Sequence, residues 1–161
     1  MTIRPCKTAD AAVIAAIYNS YVRDTVITFE ETPVGADEMA RRITETTARF
    51  PWLAWDDGGT VIGWAYATAW KARSAYRFSV ETTVYVAASH QGRGIGAALY
   101  GALIEDLRAR KLHSAVGGIA LPNPASIALH EKFGFKKIAH FAEVGRKFDR
   151  WVDVGYWQLI L

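Results

Sequence analysis

The stretch "VYVAASHQGRGIGAALYGALIEDL", residues 84–107, runs from an apolar segment through a glycine-rich turn into a sustained helical pattern. Gly92, Gly94 and Gly96 stand at alternate positions, with Arg93 between the first two. Backbone without side chains lets N–H groups come close to a ligand, and a helix that starts there adds the positive end of its dipole. Together these features describe an anion site, most often one for phosphate. The plainer alternative is a tight strand-to-helix turn, but three alternate glycines and an arginine exceed what a turn requires. Just upstream, "SVETTVYV" (residues 79–86) carries one acid, Glu81, inside an otherwise uncharged strand.

Three kinds of phosphate ligand compete for the glycine stretch. A Walker A loop needs a Gly-Lys-Ser/Thr ending, which is absent. Gly92, Gly94 and Ala97 fit the dinucleotide pattern G-x-G-x-x-A literally, but that pattern brings an acid about 20 residues after its first glycine. Here the region reads "LHSAVGG" (112–118), without an acid. The strand also follows a hairpin rather than opening a first βαβ unit. Nicotinamide binding is therefore the poorer reading, and the third candidate, below, fits better.

The length of 161 residues suits one domain, 1–161, with its own core. The apolar and aromatic content argues against disorder. A single cysteine, Cys6, cannot form an internal disulfide, which favours a reducing, cytoplasmic setting. No signal peptide is evident, and the apolar runs stop short of a membrane span. The net charge of +3 is spread rather than clustered, so neither nucleic acid nor membrane is an expected partner. No ligand spacing points to a metal.

Helices and strands alternate along the chain without repeats or linkers. "IRPCK" (3–7) reads as an opening strand, and Thr8 as the cap of a helix whose apolar residues, from Val13 to Val22, recur at helical spacing. "TVITFEETPVG" (25–35) is a loop, and 36–50 a more polar helix. "WLAW", the turn "DDGG" and "TVIGWAYATAW" (52–70) form an antiparallel hairpin. Residues 79–87 are a strand, and the glycine stretch leads into a helix that ends near Leu112. A strand over 113–121 and a short helix from Asn123, stopped by Gly134, precede two closing strands at 136–145 and 152–161. The expected fold class is α/β (α+β), one mixed sheet covered by helices.

Gln91-Gly92-Arg93-Gly94-Ile95-Gly96 resembles the Gln/Arg-x-x-Gly-x-Gly/Ala loop of the GNAT acetyltransferases, which holds the pyrophosphate of acetyl-CoA. Asn123 and the run Leu129-His130-Glu131-Lys132, followed by Gly134-Phe135, resemble that family's second CoA-contacting helix. "WKARSAYRFSVETTVYV" (70–86), "ALPNPASIALHEKFGF" (120–135) and "WVDVGYWQ" (151–158) are similar to the phosphinothricin and methionine sulfoximine N-acetyltransferase branch. The resemblance implies a mostly antiparallel GNAT sheet flanked by helices, acetyl-CoA as co-substrate, acetyl transfer to the α-amino group of a small amino acid analogue, a detoxifying role and a homodimer. It places Gln91 to Ala97, the Val84-Tyr85-Val86 backbone, Asn123 and Ser126 on the cofactor. His130 stands where many members carry a tyrosine thought to protonate the leaving thiolate.

The residues allow a chemical reading of their own. An α-amino group, with a pKa of about 7.7–8, is mostly protonated at neutral pH and cannot attack a thioester in that state. A carboxylate nearby can accept its proton. Strand alternation sets Glu81 on the face opposite Val80, Thr82 and Val84, so if the valines face the core Glu81 faces a cleft. The alternative is a strand carboxylate in solvent. Backbone N–H groups from Val84 to Val86 can pair with the cofactor and support the developing oxyanion. Asn123, ahead of Pro124, also reads as a helix N-cap, with Ser126 and His130 on roughly its face. His130 is as readily structural as catalytic. Cys6 reads as a small buried residue.

Substrate recognition is expected in "KARSAY" (71–76). There Lys71 and Arg73 can hold a carboxylate and a polar oxygen, and Tyr76 can close an apolar side. A solvated basic loop is the alternative. By resemblance, Phe29 and Glu30 cover the same pocket, and Thr82 and Thr83 contribute beside Glu81. A protein N-terminal acetyltransferase and a catalytically silent CoA-binding sensor remain as other readings.

Overall fold

A computed structural model describes residues 1–161 and resolves the sequence pattern into seven strands and four helices. In chain order these are β1 (Thr2–Pro5), α1 (Ala11–Asp24), α2 (Ala36–Thr47), β2 (Trp52–Asp57), β3 (Thr60–Ala69) and β4 (Ser79–Val86). They continue with α3 (Ile95–Ala109), β5 (Ser114–Ala120), α4 (Pro124–Lys132), β6 (Lys136–Lys147) and β7 (Arg150–Ile160). The strands form one sheet in the order β1-β2-β3-β4-β5-β7-β6. Five of its neighbour pairs are antiparallel. Only β4 and β5 run parallel, and α3 makes the crossover that a parallel pair requires.

That parallel seam is short. Ser79, Val80 and Glu81 pair with Ser114, Ala115 and Val116, and beyond them the two strands separate. Each strand still has a full partner on its other side, β3 for β4 and β7 for β5. The sheet therefore opens a wedge in its middle without losing either half.

Both sheet faces are covered. Ile95, Leu99, Tyr100, Leu103, Ile104 and Leu107 of α3 recur at helical spacing and pack on Val80, Ala65 and Ala115. Ile14, Tyr18, Tyr21 and Val22 of α1, with Met39 and Ile43 of α2, cover Trp52, Trp64 and Tyr85 on the opposite face. Burial of such side chains contributes about 1.5–3 kcal/mol each before conformational entropy is subtracted.

Thr8 does not cap α1. It opens a 3-10 turn, Thr8–Asp10, and α1 starts only at Ala11. Asp10 holds this corner instead: its carboxylate accepts from the Lys7 N–H at 2.8 Å and from Arg4 at 2.8 and 2.9 Å. Strand β1 correspondingly ends at Pro5, two residues before the sequence pattern suggested. The helices α2 and α3 also stop at Thr47 and Ala109, about a turn or less short of their expected ends.

The segment between α1 and α2 is an ordered loop. Asn19 bonds both backbone groups of Val34, at 2.9 and 2.7 Å. The Tyr18 and Thr28 hydroxyls share a hydrogen bond of 2.7 Å. From β6, the buried Lys147 ammonium donates to the Thr28 carbonyl oxygen at 2.8 Å, and burial pulls its pKa below the usual lysine value.

Candidate active site

The wedge between β4 and β5 continues into a cleft of about 520 Å³ beneath the start of α3. Gly92 and Gly94 adopt left-handed backbone, φ +73° and +79°, which glycine enters without a Cβ penalty. The chain thereby reverses and starts α3 at Ile95, with Gly94 as the residue before the helix. The helical ladder begins with the Ala98 N–H donating to the Gly94 carbonyl at 3.0 Å. The N–H groups of Ile95, Gly96 and Ala97 lie ahead of it and have no partner in that ladder. All three residues line the cleft, so the helix presents free donors and a dipole end there.

The loop is fixed from below. The Tyr21 hydroxyl donates to the Val86 carbonyl oxygen at 2.5 Å, and Gln91 Nε2 donates to the Tyr21 oxygen at 2.8 Å. Gln91 thus lines the cleft while bonded to α1. Tyr21 joins strand end, loop and helix in one chain of bonds. Nothing in the sequence pattern marks Tyr21 except its place on the buried stripe of α1. Arg93 is exposed and does not line the cleft.

The opposite wall is the first turn of α4. Asn123 Oδ1 accepts from the Ser126 N–H at 3.1 Å, and Pro124 is the first helical residue. Asn123, Ser126 and Leu129 all line the cleft. The indole N–H of Trp157 donates to Glu131 at 3.2 Å and ties α4 to β7. The N-termini of α3 and α4 therefore face one space.

The backbone of β4 forms the floor. The Ala87 N–H bonds the Ile62 carbonyl, so alternation turns the backbone of Tyr85 and Thr83 toward β3. Val84 and Val86 turn theirs toward the side that β5 has left. A smaller cavity, about 60 Å³, continues the cleft through the wedge past Thr82, Thr83, Gly118, Ile119 and His130. Ile27, Val84, Tyr85, Asn123 and Ser126 border both spaces.

Glu81 sits at the far side of this passage. Val80 and Thr82 are buried on the α3 face, and Glu81 points to the other face, near Gly118 and Tyr156. Burial pushes the Glu81 carboxyl above the usual range, and Lys71 pulls in the opposite direction with smaller effect. Tyr156 packs edge-on against Trp70 and Phe141, with ring centroids 5.6 Å apart in both pairs. The Thr82 hydroxyl is not free for a substrate: it bonds the Tyr100 hydroxyl at 2.7 Å.

His130 is buried against Tyr100 and Phe135. Its Nδ1 lies 2.7 Å from the Ser126 carbonyl oxygen. A carbonyl only accepts, so Nδ1 carries the proton and Nε2 is a bare acceptor. Nε2 is buried without a partner, and burial pulls the histidine below its ordinary pKa. In this state His130 accepts a hydrogen bond and has no Nε2 proton to give.

The remaining expected substrate residues are dispersed. Lys71 lies over the Trp70 ring at 4.8 Å as well as facing Glu81. Arg73, just before a 3-10 turn over Ser74–Tyr76, and Tyr76, its last residue, are exposed. Phe29 packs over Gly145 of β6, and Glu30 pairs with Arg42 of α2 at 2.8 Å. From that loop it is Ile27 that lines the cleft. Cys6 is buried, its thiol pushed up to about 12, which leaves it a poor nucleophile. No three His, Cys, Asp or Glu side chains gather as metal ligands.

Residues 3–155 match the Acetyltransferase (GNAT) domain. A phosphinothricin N-acetyltransferase of Streptomyces coelicolor is 41% identical over 97% of this chain and 94% of its own length. An L-methionine sulfoximine/L-methionine sulfone acetyltransferase of Salmonella typhimurium is 38% identical over 100% of this chain and 95% of its own. Among solved structures, a GNAT superfamily phosphinothricin acetyltransferase from Sinorhizobium meliloti in complex with acetyl-CoA superposes with a TM-score of 0.96. It shares 38% identity over 99% of this chain and 88% of that one.

Proposed function

The chain belongs to the GNAT acetyltransferases, and we propose that it uses acetyl-CoA to acetylate the α-amino group of small amino acid analogues, such as phosphinothricin, methionine sulfoximine or methionine sulfone. The observation that carries this reading is the wedge: free backbone donors of α3 stand on one side of it and Glu81 on the other. The residues fit the cofactor, because the bare glycine turn, two helix N-termini and an unpaired length of β4 suit a pyrophosphate and an amide-bearing arm. When bound, acetyl-CoA supplies an acetyl group activated as a thioester.

The chain's own residues then do the following. Gly92 to Ala97 hold the phosphates through backbone N–H groups, and Asn123 and Ser126 border the arm. Val84 pairs with it, and Val84 and Val86 turn N–H groups toward the acyl oxygen, where charge develops, while Tyr21 holds the Val86 carbonyl. Glu81 Oε1 accepts the proton of the incoming ammonium, directly or through water. Its raised pKa makes it a stronger base than an exposed carboxylate. Lys71, facing the same carboxylate, and Arg73 on the adjoining turn attract the acceptor's anionic groups. His130 contributes as a buried hydrogen-bond acceptor and not as the acid for the leaving sulfur. Direct transfer needs no enzyme nucleophile: the amine nitrogen bonds the acyl carbon as the C–S bond breaks and the sulfur leaves as a thiolate, so holding both reactants together supplies much of the rate.

We further infer a homodimer. The edge strand β6, its partner β7 and the turn between them expose Ile138, Phe141, Val144, Phe148 and Trp151, a long apolar edge that a monomer would leave unprotected. A single-domain enzyme acting in the cytoplasm, where it inactivates toxic amino acid analogues, is consistent with one free cysteine. No helix is long and apolar enough to cross a membrane.

The test is acetyl-CoA-dependent thiol release with a panel of amino acids, analogues, simple amines and peptides. Turnover is expected with the analogues. Turnover confined to peptide N-termini would replace this reading with a protein N-terminal acetyltransferase. Acetyl-CoA binding without any turnover would replace it with a CoA-binding sensor.

A further inference from the structure

Gly117 and Gly118 sit together inside β5, where each glycine weakens the strand relative to alanine. Neither has the left-handed backbone that would call for glycine. The reason lies in what a side chain there would meet, and the two positions face opposite sides of the sheet. A Cβ on Gly117 would overlap the His130 imidazole. A Cβ on Gly118 would stand 3.2 Å from Glu81 Oε1 and 3.1 Å from Cε1 of the Tyr156 ring. Gly118 also pairs directly with Tyr156 across β5 and β7, and it lines the cavity that leads through the wedge.

We propose that Gly118 is a positioning residue for proton transfer, its missing side chain keeping open the gap between Glu81 and Tyr156 through which the acceptor's amine reaches the carboxylate. The inference rests on Glu81 being the base. A methyl group at this point covers one face of the Glu81 carboxylate inside ordinary van der Waals contact, so Glu81 or Tyr156 must give way by a few tenths of an ångström. It excludes the amine, or the water that relays its proton, and it strips solvent from an already half-buried carboxylate. The titratable groups that face Glu81 are Lys71 after β3, Tyr66 on β3 and Tyr156 on β7. Burial raises both phenols, Tyr66 to about 12, so neither loses its proton in an assay between pH 5 and 9.

The experiment compares the wild type with Gly118→Ala and Gly117→Ala. For Gly118→Ala, kcat should fall by more than about tenfold while the KM for acetyl-CoA is unchanged. The acid limb of its pH–rate profile should move to higher pH, a change that a merely loosened strand would not produce. Gly117→Ala displaces His130 and α4 instead, so it should raise the KM for acetyl-CoA and leave the acid limb in place. Tyr156→Trp narrows the same gap from its other wall without altering β5, and it decides the matter if Gly118→Ala does not fold; the same kinetic split is expected. A folded Gly118→Ala with wild-type kcat and pH profile overturns this proposal alone. A wild type without turnover on any amine overturns it together with the proposed function.

Discussion

Replacing Gly96 by alanine should make the protein more stable and its acetyl-CoA binding weaker. Gly96 is the second residue of α3, has no left-handed torsion, and lines the cleft. A Cβ there would meet only one heavy atom within 4 Å, Val86 Cγ2, at an ordinary contact distance of 3.7 Å. The fold therefore tolerates the methyl group, and a helical Gly→Ala change contributes up to about 0.5–1 kcal/mol. At roughly 2–4 °C per kcal/mol for a chain of this size, the melting temperature should rise by about 1–4 °C. The same methyl group projects over the donors that the phosphates must approach. A loss of tenfold or more in affinity, about 1.4 kcal/mol, is expected by titration calorimetry. Gly94→Ala provides the contrast. Its Cβ meets nothing within 4 Å, but its φ of +79° is strained for alanine by about 1–2 kcal/mol, so stability and affinity should fall together. A Gly96→Ala protein that binds acetyl-CoA like the wild type would refute the placement of the phosphates. One that melts lower would refute the reading of the helix start.

Glu81→Gln should lower kcat with little change in acetyl-CoA affinity, and the deficit should shrink as pH rises and more amine is already neutral. The carboxyl's raised pKa means that its ionised form opposes folding above that pKa. Glu81→Gln should therefore also raise the melting temperature at neutral pH, a gain that disappears below the ordinary carboxylate range, where both states are protonated. Tyr21→Phe leaves the buried Val86 carbonyl and Gln91 without their shared partner, and denaturant unfolding should register a loss of about 1–3 kcal/mol, with a higher KM for acetyl-CoA. Arg73→Ala removes charge-assisted hydrogen bonds of about 1.5–3 kcal/mol, so the preference for methionine sulfoximine over a carboxylate-free amine should fall at least tenfold, and Arg73→Lys should fall less. A constant ratio of catalytic efficiencies across the three proteins would return Lys71 to Tyr76 to a solvated loop.

The glycine turn was legible because its requirement is a backbone one: left-handed torsions and open donors restrict residue type directly. Glu81 was legible for a similar reason, since alternation along a strand decides which face a lone acid occupies. Asn123 declared itself through the proline that follows it. Other features depend on contacts between distant segments. Thr8 had the side chain of a cap, yet the Arg4–Asp10 pairing moved the helix start two residues on. Tyr21 looked like one more apolar residue of α1, because its polar atom acts 65 positions away at Val86. The pairing of β7 with β5 rather than with β6 alone, and the brevity of the β4–β5 seam, have no local signature. Phe29 and Glu30 were placed by analogy alone, and the ties of their loop to Asn19, Tyr18 and Lys147 direct one side chain to β6 and the other to α2.

The three-pair seam between β4 and β5 also bears on how the molecule comes apart. Backbone hydrogen bonding divides the sheet into a four-strand block and a three-strand block that share little more than Ser79 to Glu81 and their partners. Helix α3 packs on both blocks, on Ala65 and Val80 of one and Ala115 of the other, so the side-chain core joins what backbone bonding leaves apart, and the edges flanking the wedge are where amide exchange is expected to be fastest. A ligand lodged between them fastens one block to the other. At a hundredfold excess over its dissociation constant, that fastening is worth about 2.7 kcal/mol. In the proposed binding mode the co-substrate is also a clasp, and the melting temperature is expected to rise with its concentration.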